Sequence, residues 1–371
     1  MKKTVAVLFG GQSGEHEVSL ASAQAVIAAL SPEKYTVLPV GIAKDGRWLV
    51  GPGAMSALLA AADQARLPAG AGAGPHYPEE HLDEAEDEVT RLSQHSLPGV
   101  PSVARLLPPG VDVVFPVLHG PMGEDGTVQG LLELAGAPYV GCGVAASAVG
   151  MDKALMKAAF AAAGLPLLPW LLLRRADWQR DPQAAYAAVE GALRYPVFVK
   201  PANMGSSVGV GKAKDRAGLE LAIAEAARYD RRIVVEQGVP AREIEISVLG
   251  NETPESSVPG EVVPSGEWYD YNAKYIDGQS AIHIPAPIDA DLAGRVGELA
   301  ARAFQSIDGA GLARVDFLLD KETGELWINE VNTMPGFTPI SMYAKMWAAS
   351  GLAYPDLLDR LIDLALERKT S

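Results

Sequence analysis

The stretch from Leu312 to Asn332 constrains the fold more than any other part of the chain. Arg314-Val315-Asp316-Phe317-Leu318 and Leu326-Trp327-Ile328-Asn329-Glu330-Val331-Asn332 both alternate apolar and polar residues, and Lys321-Glu322-Thr323-Gly324 supplies a turn between them. Two antiparallel strands are expected. With Asp320 paired to Leu326 across a five-residue loop, Asp316 falls opposite Glu330 and Arg314 opposite Asn332, all on one face. Opposed carboxylates repel. Either a cation lies between them, since carboxylate and amide oxygens are the hard ligands magnesium takes when it also holds phosphates, or the face is solvated and the register is off by one.

The chain's 371 residues exceed one ordinary domain and leave room for two or three with clefts between them. A hydrophobic content of 48% gives a real core, while 38 Gly and 27 Pro imply many shaped turns, as in a globular α/β enzyme. The formal charge of −15 excludes nucleic acid or an anionic membrane as the main partner. Cys142 is the single cysteine, which rules out an intramolecular disulfide, a Cys-based zinc site and dithiol redox chemistry, and suits a reducing cytoplasm. Six histidines without a His-Glu-x-x-His pair make zinc catalysis a poor fit. The apolar start ends at Phe9, too soon for a signal peptide. The longest apolar run, Ala158 to Leu173, is too short for a spanning helix and carries Pro166 and Pro169.

Thr4 to Phe9, a glycine-rich turn and a helix over Val18 to Leu30 read as a βα unit that opens a parallel-sheet domain. Val111 to Leu118 is a second strand, ending in polar His119 to Gly126 where such strands open on a cleft. Between Gly51 and Gly110 an Ala/Gly run and seven acids within Glu79 to Glu88 read as a surface insertion. Further on come a helix over Asp152 to Ala163, strands over Pro196 to Lys200 and Ile233 to Glu236, and helices over Leu219 to Arg228 and Leu292 to Gln305. Asp356 to Glu367 has the spacing of a core or subunit-contact helix.

The loop after Lys200, Asn203-Met204-Gly205-Ser206-Ser207-Val208-Gly209-Val210-Gly211, could cradle phosphate oxygens with backbone N–H groups while the lysine adds charge. It fails the Walker A spacing, and no kinase signature accompanies it. Gly205-Ser206-Ser207-Val208-Gly209 matches the Gly-x-Ser-x-Gly of a serine-hydrolase elbow with Ser207 as nucleophile, but an elbow needs a strand straight in and a helix straight out, and Pro201 and Gly209-Val210-Gly211 break both. After the first strand, Gly10-Gly11 departs from the dinucleotide pattern, and Glu15 and Glu17 would repel a pyrophosphate. Glu15 either holds a substrate ammonium or, with Glu17, favours the following helix's N-terminus.

Together, Gly10 to Ser19, His119-Gly120 with Gly123-Glu124-Asp125-Gly126, Met151-Asp152-Lys153, Val199-Lys200-Pro201 with the glycine loop, Tyr269-Asp270-Tyr271 with Ala273-Lys274-Tyr275, Arg314-Val315-Asp316 and Asn329 to Thr338 resemble the D-alanine:D-alanine ligase family of the ATP-grasp superfamily. The resemblance implies an α/β, three-domain ATP-grasp chain: residues 1–142 with a parallel sheet and a surface insertion at 51–110, a central domain over 143–238, and a C-terminal domain over 239–371 with the hairpin and a lid loop. It implies that a first D-alanine is phosphorylated by ATP to an acyl phosphate and attacked by the amine of a second, giving a peptidoglycan precursor.

It places two magnesium (or manganese) ions at Asp316, Glu330 and Asn332. Lys153, Lys200, Ser207 and Lys274 fall at the nucleotide, with Glu236 to Val239 as the adenine hinge and Glu243 at the ribose. Arg314 and the Gly336 N–H would hold the tetrahedral oxyanion. Glu15, Ser206 and Tyr275 match a hydrogen-bonded triad that orients the first substrate and locks the lid. His119, Ser341 and Met342 would contact substrate. A cytoplasmic homodimer follows from the same resemblance. D-alanine:D-lactate and D-alanine:D-serine ligases share the fold, and Tyr275 favours an amine nucleophile because depsipeptide-forming relatives lack it. A serine hydrolase through Ser207 and a non-catalytic nucleotide-binding module are the readings from other classes.

Overall fold

The computed structural model of the chain describes residues 2–66, 110–263 and 281–370. Val5 to Phe9 is an unbroken apolar run, as expected for a parallel strand covered on both faces, and each of its residues is fully buried. It lies in β1 (Lys3–Gly10), which joins β2 (Tyr35–Ile42), β3 (Trp48–Val50) and β4 (Val113–Val117) in a sheet of order β3-β2-β1-β4. The β1–β2 and β1–β4 pairs are parallel and β3 is antiparallel to β2. The helix His16–Ala29 makes the β1–β2 crossover, so the loops after β1 and β4 open at the same edge.

Within the span expected to be a surface insertion, the helix Gly53–Arg66 buries Ala54 and Leu58, one turn apart, in the core of this sheet. The start of that span is therefore a packed element. Residues 67–109, including the acidic run, lie outside the described residues. The same core takes Leu357, Leu358, Leu361, Ile362 and Ala365 from the final helix, Tyr354–Thr370, which is a core helix of the first sheet.

The second sheet is antiparallel, with β5 (Trp170–Arg174), β6 (Val197–Pro201), β7 (Gly211–Ala213) and β8 (Arg232–Gln237) in the order β5-β8-β6-β7. The helix Arg216–Tyr229 covers one face with Leu219, Ile223 and Ala226. The third sheet comprises β9 (Ala241–Gly250), β10 (Glu255–Ser256), β11 (Gly260–Val263), β12 (Ala281–His283), β13 (Gly311–Asp320) and β14 (Leu326–Asn332), in the order β12-β11-β9-β13-β14 with β10 on β9. Val296, Leu299, Ala300, Ala303 and Phe304 form the buried stripe of the helix Ala290–Ser306 beneath it.

Asp152, Asp181, Asp215 and Asp289 each accept a backbone N–H at the start of a helix, worth about 1 kcal/mol apiece. Among the described residues no helix is long and apolar enough to cross a membrane.

Candidate active site

A cavity of about 580 Å³ is lined by β6 and β8 of the second sheet, β9, β13 and β14 of the third, and the loops after β1 and β4. On the third sheet Arg314 pairs with Asn332 and Asp316 with Glu330. Nearer the turn the register differs from expectation. Leu319, not Asp320, pairs with Leu326, and a bulge between the two halves leaves Asn329 with no residue directly opposite it on β13. The extra residue lets Ile328 and Val331 both enter the core and turns Asn329 and Glu330 together toward the cavity.

Asp316 also pairs across to Glu245 on β9, so three carboxylates lie in a row over adjacent strands. Arg314 is the cation among them: its Nε and Nη2 each lie 2.7 Å from an Asp316 oxygen, and Nε is 3.1 Å from Glu245. Burial opposes its charge, but Asp316 and then Glu245 keep its pKa well above the usual value. Asn332 donates to Asp316 at 2.9 Å. Among the described residues no three His, Cys, Asp or Glu converge as a metal site. Two opposed carboxylates and an amide oxygen nevertheless fit a hard divalent ion that takes its remaining ligands from phosphate and water. Glu245 is buried and completes the row on the β9 side.

The facing wall is cationic. Lys153 opens the helix Lys153–Ala162, lines the cavity and donates to Met204 O at 2.8 Å. Lys200 on β6 donates to Glu236 at 2.8 Å and lies 3.5 Å from Asn329 Oδ1. Burial pulls the Lys200 pKa down, yet Glu236 and Glu330 hold it above the ordinary value. Glu236 is almost fully buried. Burial would raise its pKa, but Lys157 and then Lys200 outweigh that and hold it at about 2. Val239 and Glu243 line the same end of the cavity. Gln237 comes directly after Glu236, and its amide is taken up by the backbone of Arg194, Pro196 and Gly238.

The glycine loop closes a third side. It leads from β6 directly into β7, antiparallel to it, so the loop ends in a strand and the serine-hydrolase elbow is overturned. Ser206 and Ser207 both take left-handed backbone, an unfavourable pair for residues with a Cβ. That turn aims Ser206 Oγ at Glu15, to which it donates a hydrogen bond. The Glu15 side chain does not cap its helix, whereas Glu17 pairs with Lys44 at the surface. A Cβ on Gly205 would sit 3.2 Å from a Glu15 oxygen and 3.7 Å from a Glu124 oxygen, so both carboxylates press against that glycine. Burial, and then Glu15, push the Glu124 pKa up to about 8.

Between an ordinary carboxyl pKa and about 8 the folded protein thus keeps a proton on Glu124 that the unfolded chain has released, so this residue makes stability fall as pH rises through that window. Glu124→Gln is expected to flatten this slope and raise the melting temperature at pH 8 by a few degrees, as read by calorimetry from pH 5 to 8.

His119 is buried, with Nδ1 3.1 Å from Met334 O and Nε2 3.3 Å from Ser22 Oγ. A carbonyl can only accept, so Nδ1 carries the proton and Nε2 receives Ser22. Burial lowers its pKa, and the ring is a neutral, fixed wall of the cavity. Gly336, Ser341 and Met342 line the cavity beside it. Ser341 Oγ bonds the Thr338 hydroxyl at 2.7 Å. Lys274 and Tyr275 lie outside the described residues. Glu245, Asn329 and Glu124 line the cavity beyond the site residues expected from the sequence, and Lys157 stands behind Glu236.

A parallel-sheet unit followed by two further sheets that close on one cavity, cations on one wall and carboxylates on the other, is the ATP-grasp architecture. Residues 4–142 match the family model for the D-ala D-ala ligase N-terminus and residues 159–363 that for its C-terminus. The chain is 51% identical over 372 aligned residues to the D-alanine–D-alanine ligase of Heliobacterium modesticaldum, covering 99% of this chain and 96% of that one. It is 48% identical to that of Bacillus cytotoxicus at the same coverage. Among solved structures, the D-alanine-D-alanine ligase from Coxiella burnetii superposes with a TM-score of 0.79 at 35% identity, covering 100% of this chain and 95% of that one. VanG D-Ala:D-Ser ligase from Enterococcus faecalis gives 0.79 at 33%, covering 98% and 100%. The chain belongs to the D-alanine–D-alanine ligase family.

Proposed function

We propose that this chain joins two D-alanine molecules into D-alanyl-D-alanine with conversion of ATP to ADP and phosphate, as a cytoplasmic homodimer supplying peptidoglycan precursors. The observation that carries the reading is one cavity with Lys153 and Lys200 on one wall facing Asp316, Glu330 and Asn332 on the other, a place for one triphosphate and its counter-ions. The carboxylate of the first D-alanine attacks the γ-phosphorus of ATP, the bond to the bridging oxygen breaks, and an acyl phosphate and ADP result. The amine of the second D-alanine attacks the acyl carbon, and phosphate leaves.

Glu15 receives the first ammonium, with Glu124 beside it and Ser206 fixing its carboxylate. His119 forms the fixed wall behind. Arg314 and the Gly336 N–H face the developing oxyanion, and Ser341 and Met342 the second carboxylate. Lys153, Lys200, Ser207 and Lys274 hold phosphate oxygens, while Glu236 to Val239 and Glu243 take the base and sugar. Two divalent ions, magnesium or manganese, held by Asp316, Glu330 and Asn332, would neutralise phosphate charge. By the family resemblance Tyr275 would complete the link with Glu15 and Ser206 and lock the lid against water, which would hydrolyse the acyl phosphate.

The test is to mix the protein with ATP, magnesium and D-alanine and follow ADP and dipeptide. D-alanine-dependent ADP with one dipeptide per ADP is expected; no ADP above background sinks the ligase reading. D-lactate or D-serine outcompeting D-alanine at neutral pH would move the second substrate to the depsipeptide or D-Ala:D-Ser class. Ser206→Ala removes the donor to Glu15 and is expected to raise KM for the first D-alanine about tenfold, with KM for ATP little changed.

A further inference from the structure

The helix Lys153–Ala162 carries a second lysine one turn beyond the first, and nothing in the reaction above uses it. Lys157 is 1% exposed and does not line the cavity. Its placement is unfavourable on two counts: a sealed ammonium loses its hydration, and Lys153 and Lys157 are like charges at i,i+4. Such a residue is a poor device for stability.

The group that meets Lys157 is Glu236. Lys157 Nζ lies 3.1 Å from Glu236 Oε1, while Lys200 holds Oε2 at 2.8 Å from the cavity side. One carboxylate is thus shared by two cations, one sealed behind it and one facing the space where the phosphates would lie. When Lys200 turns to a phosphate oxygen, Glu236 gives up its cavity-side partner, and a buried carboxylate left alone would be strongly unfavourable. With Lys157 absent, Glu236 would instead keep Lys200 for itself.

We propose that Lys157 is a positioning residue for the nucleotide: by holding Glu236 from behind, it leaves Lys200 able to exchange that carboxylate for a phosphate oxygen. This rests on the nucleotide site proposed above. Lys157→Met keeps the apolar stem and removes the charge. In steady-state assays of the full chain with magnesium, ATP and D-alanine, KM for ATP is expected to rise about tenfold or more, with KM for D-alanine held within about twofold. In a Glu236→Gln background there is no carboxylate to release Lys200 from, so adding Lys157→Met should change KM for ATP less than about threefold. An unchanged KM for ATP in the single variant, or the same rise in both backgrounds, overturns the proposal in favour of simple packing.

If the single variant does not fold, the comparison of Glu236→Gln with the doubly neutral protein decides: equal KM supports the proposal and a further rise overturns it. A wild type that forms no D-alanine-dependent ADP refutes the ligase reading instead, and titration calorimetry of ATP against the same variants then tests Lys157 directly.

Discussion

Glu330→Gln is expected to cut turnover about 10²–10³-fold at saturating ATP and magnesium, while the folded protein melts no earlier than the wild type. The two halves of this result have one cause. Glu330 and Asp316 are opposed across β13 and β14, with Glu245 on the other side of Asp316. Opposed carboxylates weaken a sheet by up to about 1 kcal/mol, which offsets the attraction of Glu330 for Lys200 and Arg314, so replacing it by its neutral isostere leaves both the stability and the shape intact. The proposed divalent ions lose a charged ligand at the same time, and their hold on the phosphates weakens. A coupled assay of ADP release over a magnesium titration, beside a thermal melt, reads both. Activity within about threefold of wild type removes Glu330 from the metal set, and a large drop in melting temperature shows that the acid row is structural.

Arg314→Lys should lower kcat by about 10²-fold or more although the charge is kept. The guanidinium binds both oxygens of Asp316 at 2.7 Å and reaches Glu245 at 3.1 Å, a forked grip that one ammonium cannot reproduce. Lysine retains a counter-charge for the acids, so the fold should survive. Arg314→Met removes the counter-charge beside buried Glu245 and part-buried Asp316 and should unfold more readily, by about 2–3 kcal/mol. The comparison separates geometry from charge: kcat and KM for ATP give the first, denaturant unfolding the second. If lysine keeps kcat within about threefold, the forked grip on Asp316 is dispensable for the reaction.

The hairpin was legible because its strands are neighbours in the chain and period-two alternation shows in the letters. Its bulge was not. Nothing local at Asn329-Glu330 announces an extra residue; the need appears only when Ile328 and Val331 must both reach a core supplied by other segments. Glu245 escaped for a related reason, since its place beside Asp316 depends on β9, far back in the chain, lying next to β13. Glu124 reads as one of several polar turn residues and Lys157 as one more helix lysine, and only burial distinguishes them. For the hydrolase-like Gly205 to Gly209, the deciding feature is the element after the loop, a strand where an elbow needs a helix. Gly53 to Arg66 was hidden by its neighbourhood, an apolar face on the border of an Ala/Gly run.

The final helix has a consequence for how the molecule is made. Val5, Val7 and Phe9 share one core with Leu357, Leu358 and Leu361, so β1 waits for a segment about 350 residues further on before its apolar surface is fully covered. At ordinary elongation rates that wait is roughly 20–70 s. The N-terminal sheet is therefore exposed to premature association during synthesis. Synthesis of the helix Tyr354–Thr370, and not emergence of the four strands alone, is the event that covers this core.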